Sequence, residues 1–424
     1  MNVKLKKLEI IDTELTAPPS KSLTHRAIFI ASLANGTSKL KNYLISDDTN
    51  YSIKACSAFG PKIENIKGDL HITGMDYPLK NPLNEIYVGN SGTTMRFITS
   101  YSALMKNNQV KIYGNKRMNE RPIGDLIHAL NDLGVKTYSI NKNNCPPIIV
   151  EGGGIRGGRT TLKGDISSQF FSSLLISCVK AENDVEIHTL GALKSRPYID
   201  LTIDTIRYFE GEIKNENYKK FTIPANQQYI PKEFIIEGDF SSASYFLGIA
   251  AVLGGKIRIN NLNFSSSQGD KIFLDILKKM GCKIKYGKNW IEVEGTDLHG
   301  ITIDMKDYPD LVPTLAVVGA YAKGETYIQN VEHLKYKETD RIKALATELK
   351  KIGSQIEELP TGLIIKKGKT RAAEINTYDD HRIAMSFAIA ALKTGKIVIK
   401  DIECVSKSFP NFFNLVENII ESQN

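Results

Sequence analysis

The stretch FLDILKKMGCKIKY (273–286) contains the pattern from which the fold is predicted. Its apolar residues recur at helical spacing up to Gly281, and apolar and polar residues then alternate as in a strand. Glycine readily adopts the left-handed conformation that commonly ends a helix. The stretch therefore predicts an amphipathic helix that is followed at once by a strand.

This helix–glycine–strand pattern recurs along the chain. Clear copies are LIHALNDLGVKTYSI (126–140) and LATELKKIGSQIEEL (345–359), and weaker copies are IKACSAFGPKIENI (53–66) and IDTIRYFEGEIKNE (203–216). The glycines expected to end these helices stand 70–77 residues apart and are Gly60, Gly134, Gly211, Gly281 and Gly353. Repetition at a fixed period indicates an architecture of similar units.

A second series of helices keeps the same period. Six segments with polar starts and apolar residues on nearly every face begin near Ser22, Ser91, Ser168, Ser241, Asp310 and His381. Helices of this kind are buried. Six units of about 70 residues account for the 424 residues if the sixth joins FFNLVENIIESQ (412–423) to the N-terminal strand VKLKKLEI (3–10).

Strand patterns alternate with both helix series, so the predicted class is α/β with mixed sheets. Three units plus three units would form two similar domains. Pro18-Pro19-Ser20 is stiff and the Gly238-Asp239 pair is turn-prone, so the chain is expected to cross between domains at these points. The predicted domains are residues 21–237, and residues 1–20 joined with 238–424.

Composition excludes several classes of protein. Hydrophobic residues make up 42% and charged residues 24% of the chain, which is typical of a globular protein. No apolar stretch is long enough for a membrane helix, and the N-terminal residues show no signal-peptide pattern. The five cysteines form no CxxC pair and the seven histidines no HxxxH pair, so we expect no metal site and a reducing cytoplasmic location. The net charge of +8 is dispersed and accompanies no nucleic-acid-binding motif.

Three buried helices begin with unusually polar segments: PPSKSLTHR (18–26), GNSGTTMR (89–96) and DISSQ (165–169). Ser, Thr and Asp are common helix caps, so each segment alone is explained by capping. Helix N-termini also bind anions, and Lys21 and Arg26 beside the first segment favour that interpretation.

The C-terminal half supplies further charged candidates. Glu338 and Arg341 in KETDR would share one face of a helix, and Asp310 is expected at a helix start. Arg382 opposes the dipole of its helix, which an anionic ligand would explain. The candidate anion-binding residues come from both halves and are Lys21, Arg26, Arg121, Lys337, Arg341, Arg382 and Lys407. They predict a cleft between domains for substrates with several carboxylates or phosphates, with Asp310 and Glu338 as acid–base groups.

The glycine-rich stretch GGGIRGGRT (152–160) does not lead into a helix, and the chain has no Walker A sequence. These observations exclude nucleotide hydrolysis and dinucleotide binding by the usual motifs.

The sequence closely resembles the 5-enolpyruvylshikimate-3-phosphate synthase family over nearly its whole length. The resemblance rests on motifs in the family's order: PPSKSLTHR, GNSGTTMRF, RPIGDL, GDISSQF, SRPYIDLT, EGDFSSASYF, PDLVPTLAV, KETDRI, DDHRIAMSF and SKSFPNF. It implies two domains, each of three βαβαββ repeats with buried parallel helices directed at the cleft, which is an inside-out α/β barrel.

The resemblance implies a reaction as well. The enolpyruvyl group of phosphoenolpyruvate is transferred to the 5-hydroxyl of shikimate 3-phosphate and phosphate is released, a step of chorismate and aromatic amino-acid biosynthesis. It implies a cytoplasmic monomer with these two small-molecule substrates, no cofactor or metal, and no nucleic-acid or membrane partner. Gly92 leaves room beside phosphoenolpyruvate, but sensitivity to the inhibitor glyphosate stays open.

Site residues follow from the matching motifs. Residues implied for shikimate 3-phosphate are Lys21, Ser22, Arg26, Ser167, Ser168, Gln169, Ser195, Tyr198, Asp310, His333 and Lys337. Residues implied for phosphoenolpyruvate are Lys21, Asn90, Gly92, Arg121, Gln169, Glu338, Arg341, Arg382 and Lys407. The implied catalytic residues are Asp310, which takes the hydroxyl proton, Glu338 beside C3, and Lys21, which could serve the departing phosphate. His333 stands where many members have Asn, so its contact is open.

Two alternatives remain from the sequence. UDP-N-acetylglucosamine enolpyruvyl transferase shares the fold and donor, but it carries a reactive Cys where residues 113–122 of this chain have none. A non-catalytic repeat protein that binds anions would need the repeat but neither Asp310 nor Glu338.

Overall fold

The structure is a computed structural model and describes residues 1–423. The chain divides into two compact units. The continuous unit comprises Pro19–Ile236, and the split unit comprises Met1–Pro18 together with the chain from Glu237 onward. Each unit has its own hydrophobic core. Every helix within residues 1–423 falls short of the length and apolarity that crossing a membrane requires.

Twelve α-helices alternate with strands along the described chain. They are α1 (Lys21–Ser32), α2 (Asp47–Ala58), α3 (Gly92–Ser102), α4 (Gly124–Asp132), α5 (Ser168–Ser177), α6 (Arg196–Tyr208), α7 (Phe240–Leu253), α8 (Phe273–Lys279), α9 (Val312–Gly319), α10 (Arg341–Lys351), α11 (His381–Thr394) and α12 (Phe412–Ser422). Short 3₁₀ turns cover Met118–Glu120, Cys178–Lys180, Gly269–Ile272, Glu332–Tyr336 and Ile402–Lys407.

The strands are short and fall into six mixed sheets. They are β1 (Val3–Lys4), β2 (Ile11–Thr16), β3 (Thr37–Lys41), β4 (Lys62–Ile66), β5 (Asp69–Thr73), β6 (Ile86–Tyr87), β7 (Gln109–Tyr113), β8 (Thr137–Ser139), β9 (Ile148–Glu151), β10 (Gly158–Lys163), β11 (Val185–Leu190), β12 (Lys214–Glu216), β13 (Lys220–Ile223), β14 (Glu233–Ile235), β15 (Gly255–Asn260), β16 (Lys283–Tyr286), β17 (Trp290–Gly295), β18 (Thr302–Asp304), β19 (Glu325–Gln329), β20 (Gln355–Leu359), β21 (Gly362–Lys366), β22 (Ala373–Ile375) and β23 (Ile397–Ile399).

Five sheets repeat one topology: an edge strand parallel to its neighbour, then two successive antiparallel pairings. The continuous unit contains β14-β3-β5-β4, β6-β7-β9-β8 and β10-β11-β13-β12. The split unit contains β2-β15-β17-β16 and β18-β19-β21-β20. The recurring topology confirms the predicted α/β class and the repetition of similar units.

The sixth sheet joins the two ends of the chain. Strand β22 is parallel to β23, and β23 is antiparallel to β1. Val3 lies opposite Ile399, and the N-terminal amino group of Met1 pairs with Glu403. The predicted sharing of one repeat by both ends is therefore confirmed, although the strand covers only Val3–Lys4 of the stretch expected at 3–10.

The helices that are apolar on every face form the centre of each unit. Helices α1, α3 and α5 contact one another in the continuous unit, and α7, α9 and α11 do so in the split unit. A Cβ added to Gly248 on α7 would lie 2.8 Å from Ile389 Cδ1 and 3.1 Å from Thr314 Cγ2, so glycine permits this close approach. Burial of these helices confirms the prediction from their sequence.

Four of the five predicted helix-ending glycines adopt a positive φ: Gly60, Gly134, Gly281 and Gly353. Gly211 does not, because the preceding Glu210 takes the left-handed conformation with φ of 65°. The prediction for Gly211 is wrong in detail: this helix ends one residue earlier than the glycine suggested. A glutamate in this conformation is uncommon, since its Cβ crowds the backbone.

Candidate active site

In the continuous unit, helix α1 begins with a positively charged side chain. Ser20 caps the helix by accepting a hydrogen bond from the backbone N–H of Leu23, and Lys21 and Ser22 form the first turn. Lys21 Nζ lies 3.2 Å from Asp48 Oδ2, and the side chains are only 13% and 4% exposed. Asp48 is not among the site residues predicted from the sequence. The sequence offered little indication of a site at Asp48, since the SDDT stretch (46–49) is explained by capping of α2.

Arg26 is buried between three helices. Its Nε donates to Thr202 Oγ1 at 2.8 Å, its Nη1 to the Ser22 carbonyl at 2.8 Å, and its Nη2 to the Tyr198 carbonyl at 2.8 Å. Burial lowers the pKa of Arg26 to about 10. Within residues 1–423 no carboxylate lies within 4 Å of this guanidinium, so neutral oxygens alone hold a buried cation. Such a group favours a nearby anion.

Helix α3 lies beside a second buried cation. Asn90 precedes the capping residue Ser91, and Gly92 starts the helix. A Cβ on Gly92 would lie 2.7 Å from Arg121 Nη2 and 2.9 Å from Nη1. The guanidinium of Arg121 therefore lies in the space that a side chain at position 92 would need.

Helix α5 places the remaining polar residues of its segment. Ser167 caps the helix and accepts from the Gln169 N–H at 3.3 Å, and Ser168 follows in the first turn. Gln169 Nε2 donates to Thr93 Oγ1 at 3.1 Å, which links α5 to α3.

Ser195 and Tyr198 lie where α6 begins. Ser195 has a left-handed backbone with φ of 57° and makes no capping bond. Tyr198 contributes its carbonyl oxygen to Arg26. Non-glycine residues seldom adopt this conformation, because it raises the conformational free energy. The exceptions are often found at functional sites, where the surrounding structure stabilises them.

In the split unit, one arginine binds three carboxylates. Arg341 Nε donates to Asp380 Oδ2 at 2.8 Å, Nη2 to Glu338 Oε2 at 2.9 Å, and Nη1 to Asp310 Oδ1 at 3.2 Å. Burial lowers the pKa of Arg341, but Asp380, Glu338 and Asp310 outweigh burial and raise it further above its ordinary value. This cation is permanently charged and its position is fixed by several bonds.

Asp310 does not begin a helix. Helix α9 starts at Val312, with Leu311 at the capping position and no capping side chain. Asp310 instead accepts from Arg382 Nη2 at 2.7 Å through its second oxygen. The predicted helix-start role of Asp310 is wrong, because pairing with two buried arginines determines its position.

Glu338 also lies outside a helix. Helix α10 starts at Arg341 with Asp340 as its cap, so the pair with Arg341 forms across the helix start rather than along one helical face. Lys407 Nζ lies 3.9 Å from the other oxygen of Glu338. The structure thus brings Asp310, Glu338, Arg341, Arg382 and Lys407 into one cluster, which is part of the larger set predicted from the sequence.

His333 lies buried in the 3₁₀ turn Glu332–Tyr336, and Lys337 follows this turn with an extended backbone. His333 therefore precedes Glu338 by five residues, and Lys337 is the immediate neighbour of Glu338.

Two residues of the cluster, Tyr245 and Asp270, were not predicted from the sequence. Tyr245 OH accepts from Arg382 Nη1 at 3.1 Å, and burial raises the pKa of Tyr245 to about 12. Asp270 is buried and hydrogen-bonded to Ser241 Oγ. Burial, together with the charge of Asp310, raises the pKa of Asp270 to about 7. The only sequence signal was that Asp270 ends the polar SSSQGD stretch (265–270), which resembles an ordinary loop.

Chemically, the two units offer buried cations for anionic groups and two carboxylates for proton transfer. No group of three or more His, Cys, Asp or Glu side chains suited to holding a metal ion occurs within residues 1–423.

Comparison with known proteins identifies the family. The family model of EPSP synthase (3-phosphoshikimate 1-carboxyvinyltransferase) matches residues 5–416. The 3-phosphoshikimate 1-carboxyvinyltransferase of Methanococcoides burtonii is 46% identical over 410 residues, which cover 96% of this chain and 95% of that protein. Its namesake from Methanocaldococcus jannaschii is 42% identical over 421 residues, covering 98% of this chain and 97% of that protein.

Solved structures agree. An EPSP synthase from Acinetobacter baumannii superimposes with a TM-score of 0.82 at 26% identity, covering 99% of this chain and 98% of that chain. With both the extended match and the cluster of carboxylates and arginines in place, the chain belongs to the EPSP synthase (3-phosphoshikimate 1-carboxyvinyltransferase) family.

Proposed function

We propose that this chain transfers the enolpyruvyl group of phosphoenolpyruvate to the 5-hydroxyl of shikimate 3-phosphate and releases phosphate. The observation that carries the proposal is the pairing of Asp310 with both Arg341 and Arg382, next to Glu338. A carboxylate and an acid–base partner beside buried cations are what proton transfer on an anionic substrate requires. Family membership supplies the identity of the reaction.

Shikimate 3-phosphate is assigned mainly to the continuous unit. Buried Arg26 would bind one anionic group of the substrate, since its present partners are neutral oxygens. The other residues assigned to this substrate are Lys21, Ser22, Ser167, Ser168, Gln169, Ser195 and Tyr198, with Asp310, His333 and Lys337 from the split unit. The hydroxyl and amide groups among them suit a polyhydroxylated ring.

Phosphoenolpyruvate is assigned to residues of both units, most of them cations. The residues are Lys21, Asn90, Gly92, Arg121 and Gln169 from the continuous unit, and Glu338, Arg341, Arg382 and Lys407 from the split unit. Because this substrate carries a carboxylate and a phosphate, guanidinium groups that bind in bidentate fashion would orient it as well as hold it.

The chemistry needs one proton to leave and one to arrive. Asp310 accepts the proton of the 5-hydroxyl while that oxygen forms a bond to C2 of phosphoenolpyruvate, and Glu338 delivers a proton to C3. The resulting tetrahedral intermediate then loses phosphate from C2 and a proton from C3, which restores the double bond. Lys21 is assigned to the departing phosphate. Positioned acids and bases contribute about 10²–10⁴ in rate.

The residues assigned to each substrate come from both predicted domains, residues 21–237 and residues 1–20 with 238–424, so the proposed reaction needs residues of both. A cytoplasmic monomer without cofactor or metal is part of the same proposal.

A phosphate-release assay with purified protein tests the proposal. We expect phosphate only when shikimate 3-phosphate and phosphoenolpyruvate are both present, with reactions lacking either substrate as controls. Replacing shikimate 3-phosphate by UDP-N-acetylglucosamine distinguishes the related transferase. Release with that acceptor alone, or saturable ligand binding without turnover, would contradict the proposal.

A further inference from the structure

Arg96 is a buried arginine that has no role in the proposed reaction. It lies on α3 one turn after Gly92 and is only 3% exposed. Its Nη2 donates to the Pro122 carbonyl at 3.1 Å, and its Nη1 donates to the Gly92 carbonyl at 3.3 Å and to Met118 Sδ at 3.5 Å. A buried guanidinium that binds backbone carbonyls fixes the segments to which those carbonyls belong.

The segment fixed in this way carries Arg121. Met118 begins the 3₁₀ turn that ends before Arg121, and the Arg121 N–H donates to the Met118 carbonyl at 3.1 Å. Pro122 directly follows Arg121. Arg96 therefore contacts the residues on either side of Arg121 through Met118 and Pro122.

The Arg96 guanidinium also contacts Gly92, the residue beside which the Arg121 guanidinium lies. Arg96 bonds the Gly92 carbonyl, and the Arg121 guanidinium occupies the space beside the Gly92 Cα. Arg96 thus connects both sides of this contact: the helix start and the loop that brings Arg121 to it. Removing the connection would free the loop to shift relative to α3.

Charge supports the same interpretation. Arg96 and Arg121 place two positive charges next to Gly92 at the N-terminus of α3, where the helix dipole is also positive. An anion bound between oriented N–H donors would offset the repulsion between these two charges. Correct placement of Arg121 matters most for the ligand that supplies this anion.

We infer that Arg96 is a positioning residue for phosphoenolpyruvate binding, which holds the Met118–Pro122 segment so that Arg121 lies against Gly92. The inference rests on the proposed function, because it takes Arg121 to bind this substrate. Arg96 itself is not assigned a contact with either substrate.

The test compares Arg96→Met, which removes the charge and the three bonds, with Arg96→Lys, which keeps the charge. We expect Arg96→Met to raise the KM for phosphoenolpyruvate about tenfold or more, with the KM for shikimate 3-phosphate and kcat nearly unchanged, since loss of binding shared by ground and transition states raises KM alone. Arg96→Lys should restore part of the affinity.

Arg117→Gln is the matched control. Arg117 lies in the same loop, but its Nη1 pairs at 3.5 Å with Glu120 and its side chain is 32% exposed. We expect the kinetic constants of Arg117→Gln to equal those of the wild type, because ion pairs that solvent reaches contribute little.

The outcomes are distinguishable. Wild-type protein that does not turn over the two substrates would overturn the proposed function. Active wild type with an unchanged KM for phosphoenolpyruvate in Arg96→Met would overturn only the role of Arg96. Equal losses for both substrates would indicate a merely structural role and also overturn it. If Arg96→Met does not fold, Arg96→Lys decides, and an unchanged KM for phosphoenolpyruvate in that variant contradicts the inference.

Discussion

Asp310 and Arg382 form a direct ion pair in which Arg382 Nη2 lies 2.7 Å from Asp310 Oδ2. The other carboxylate oxygen of Asp310 accepts from Arg341 at 3.2 Å. Both oxygens are therefore held by cations that come from two different helices, α10 and α11. A carboxylate whose two oxygens are both held is suited to proton transfer, because the rate of transfer depends on the distance and angle between the carboxylate and the reacting atom.

Replacing Asp310 by Asn tests the proposed base. We expect Asp310→Asn to lower kcat by about 10²–10⁴ while the affinity for shikimate 3-phosphate is nearly kept, because an amide cannot accept the hydroxyl proton. Steady-state kinetics with phosphate detection measures both quantities. Asp304→Asn is the control, since Asp304 pairs with Lys306 at 3.0 Å on the surface. Near-normal turnover in Asp310→Asn would transfer the role of base to Lys21.

Replacing Glu338 by Gln tests the proposed proton donor. Glu338→Gln should suppress the exchange of solvent deuterium into the C3 methylene of phosphoenolpyruvate, because glutamine cannot deliver a proton to that carbon. Proton NMR of substrate recovered from D₂O measures the exchange. Glu325→Gln serves as control, since Glu325 pairs with Lys366 at a surface strand. Exchange at the wild-type rate in Glu338→Gln would refute the assignment.

Arg382 should distinguish the two substrates. Arg382→Ala removes a buried cation from the cluster, and a lost charge-assisted bond to a desolvated anion costs roughly 1.5–3 kcal/mol, or about ten- to a hundredfold in affinity. We expect this loss for phosphoenolpyruvate and a much smaller one for shikimate 3-phosphate. Titration calorimetry with each ligand measures it, and losses of equal size would show that Arg382 is not specific to phosphoenolpyruvate.

Asp270 predicts a pH dependence of stability. Burial raises its pKa to about 7 in the folded chain, whereas an unfolded Asp has a pKa near 3.9. Between about pH 4 and pH 7 the folded state holds a proton that the unfolded state has released, so the free energy of unfolding falls as pH rises through this window. Asp270→Asn should remove that contribution.

Urea denaturation midpoints of wild type and Asp270→Asn, measured across the window, test this expectation. The difference between the two proteins should grow with pH in favour of the variant and level off above pH 7. Parallel curves would mean that Asp270 does not titrate there.

The cysteines should be dispensable for activity. Burial raises the pKa of every thiol in the chain, to about 11 for Cys282 and about 12 for Cys404, so thiolates are scarce at neutral pH. Iodoacetamide treatment of the native protein should leave most activity, while urea-unfolded protein labels at all five sites. Rapid inactivation against which phosphoenolpyruvate protects would instead favour the cysteine-dependent transferase.

The repeat, the buried helices and most candidate site residues could be predicted from the sequence. Helix-ending glycines and apolar faces are local signals, because backbone conformation and periodicity depend on neighbours a few residues away. Gly211 shows the limit of this approach: the left-handed residue is Glu210, which no local preference would select. The resemblance supplied the assignments of residues such as Ser195 and Tyr198, which composition and spacing did not single out.

The order and period of the helices and their burial can be obtained from the chain alone, since each depends on short stretches of sequence. Partners far apart along the chain depend on packing instead. Asp310 pairs with Arg382 rather than capping α9, Lys21 pairs with Asp48, and Arg96 bonds the carbonyl of Pro122. In each case a buried charge must find a partner when water is removed, and only the folded arrangement of helices determines which partner lies within reach.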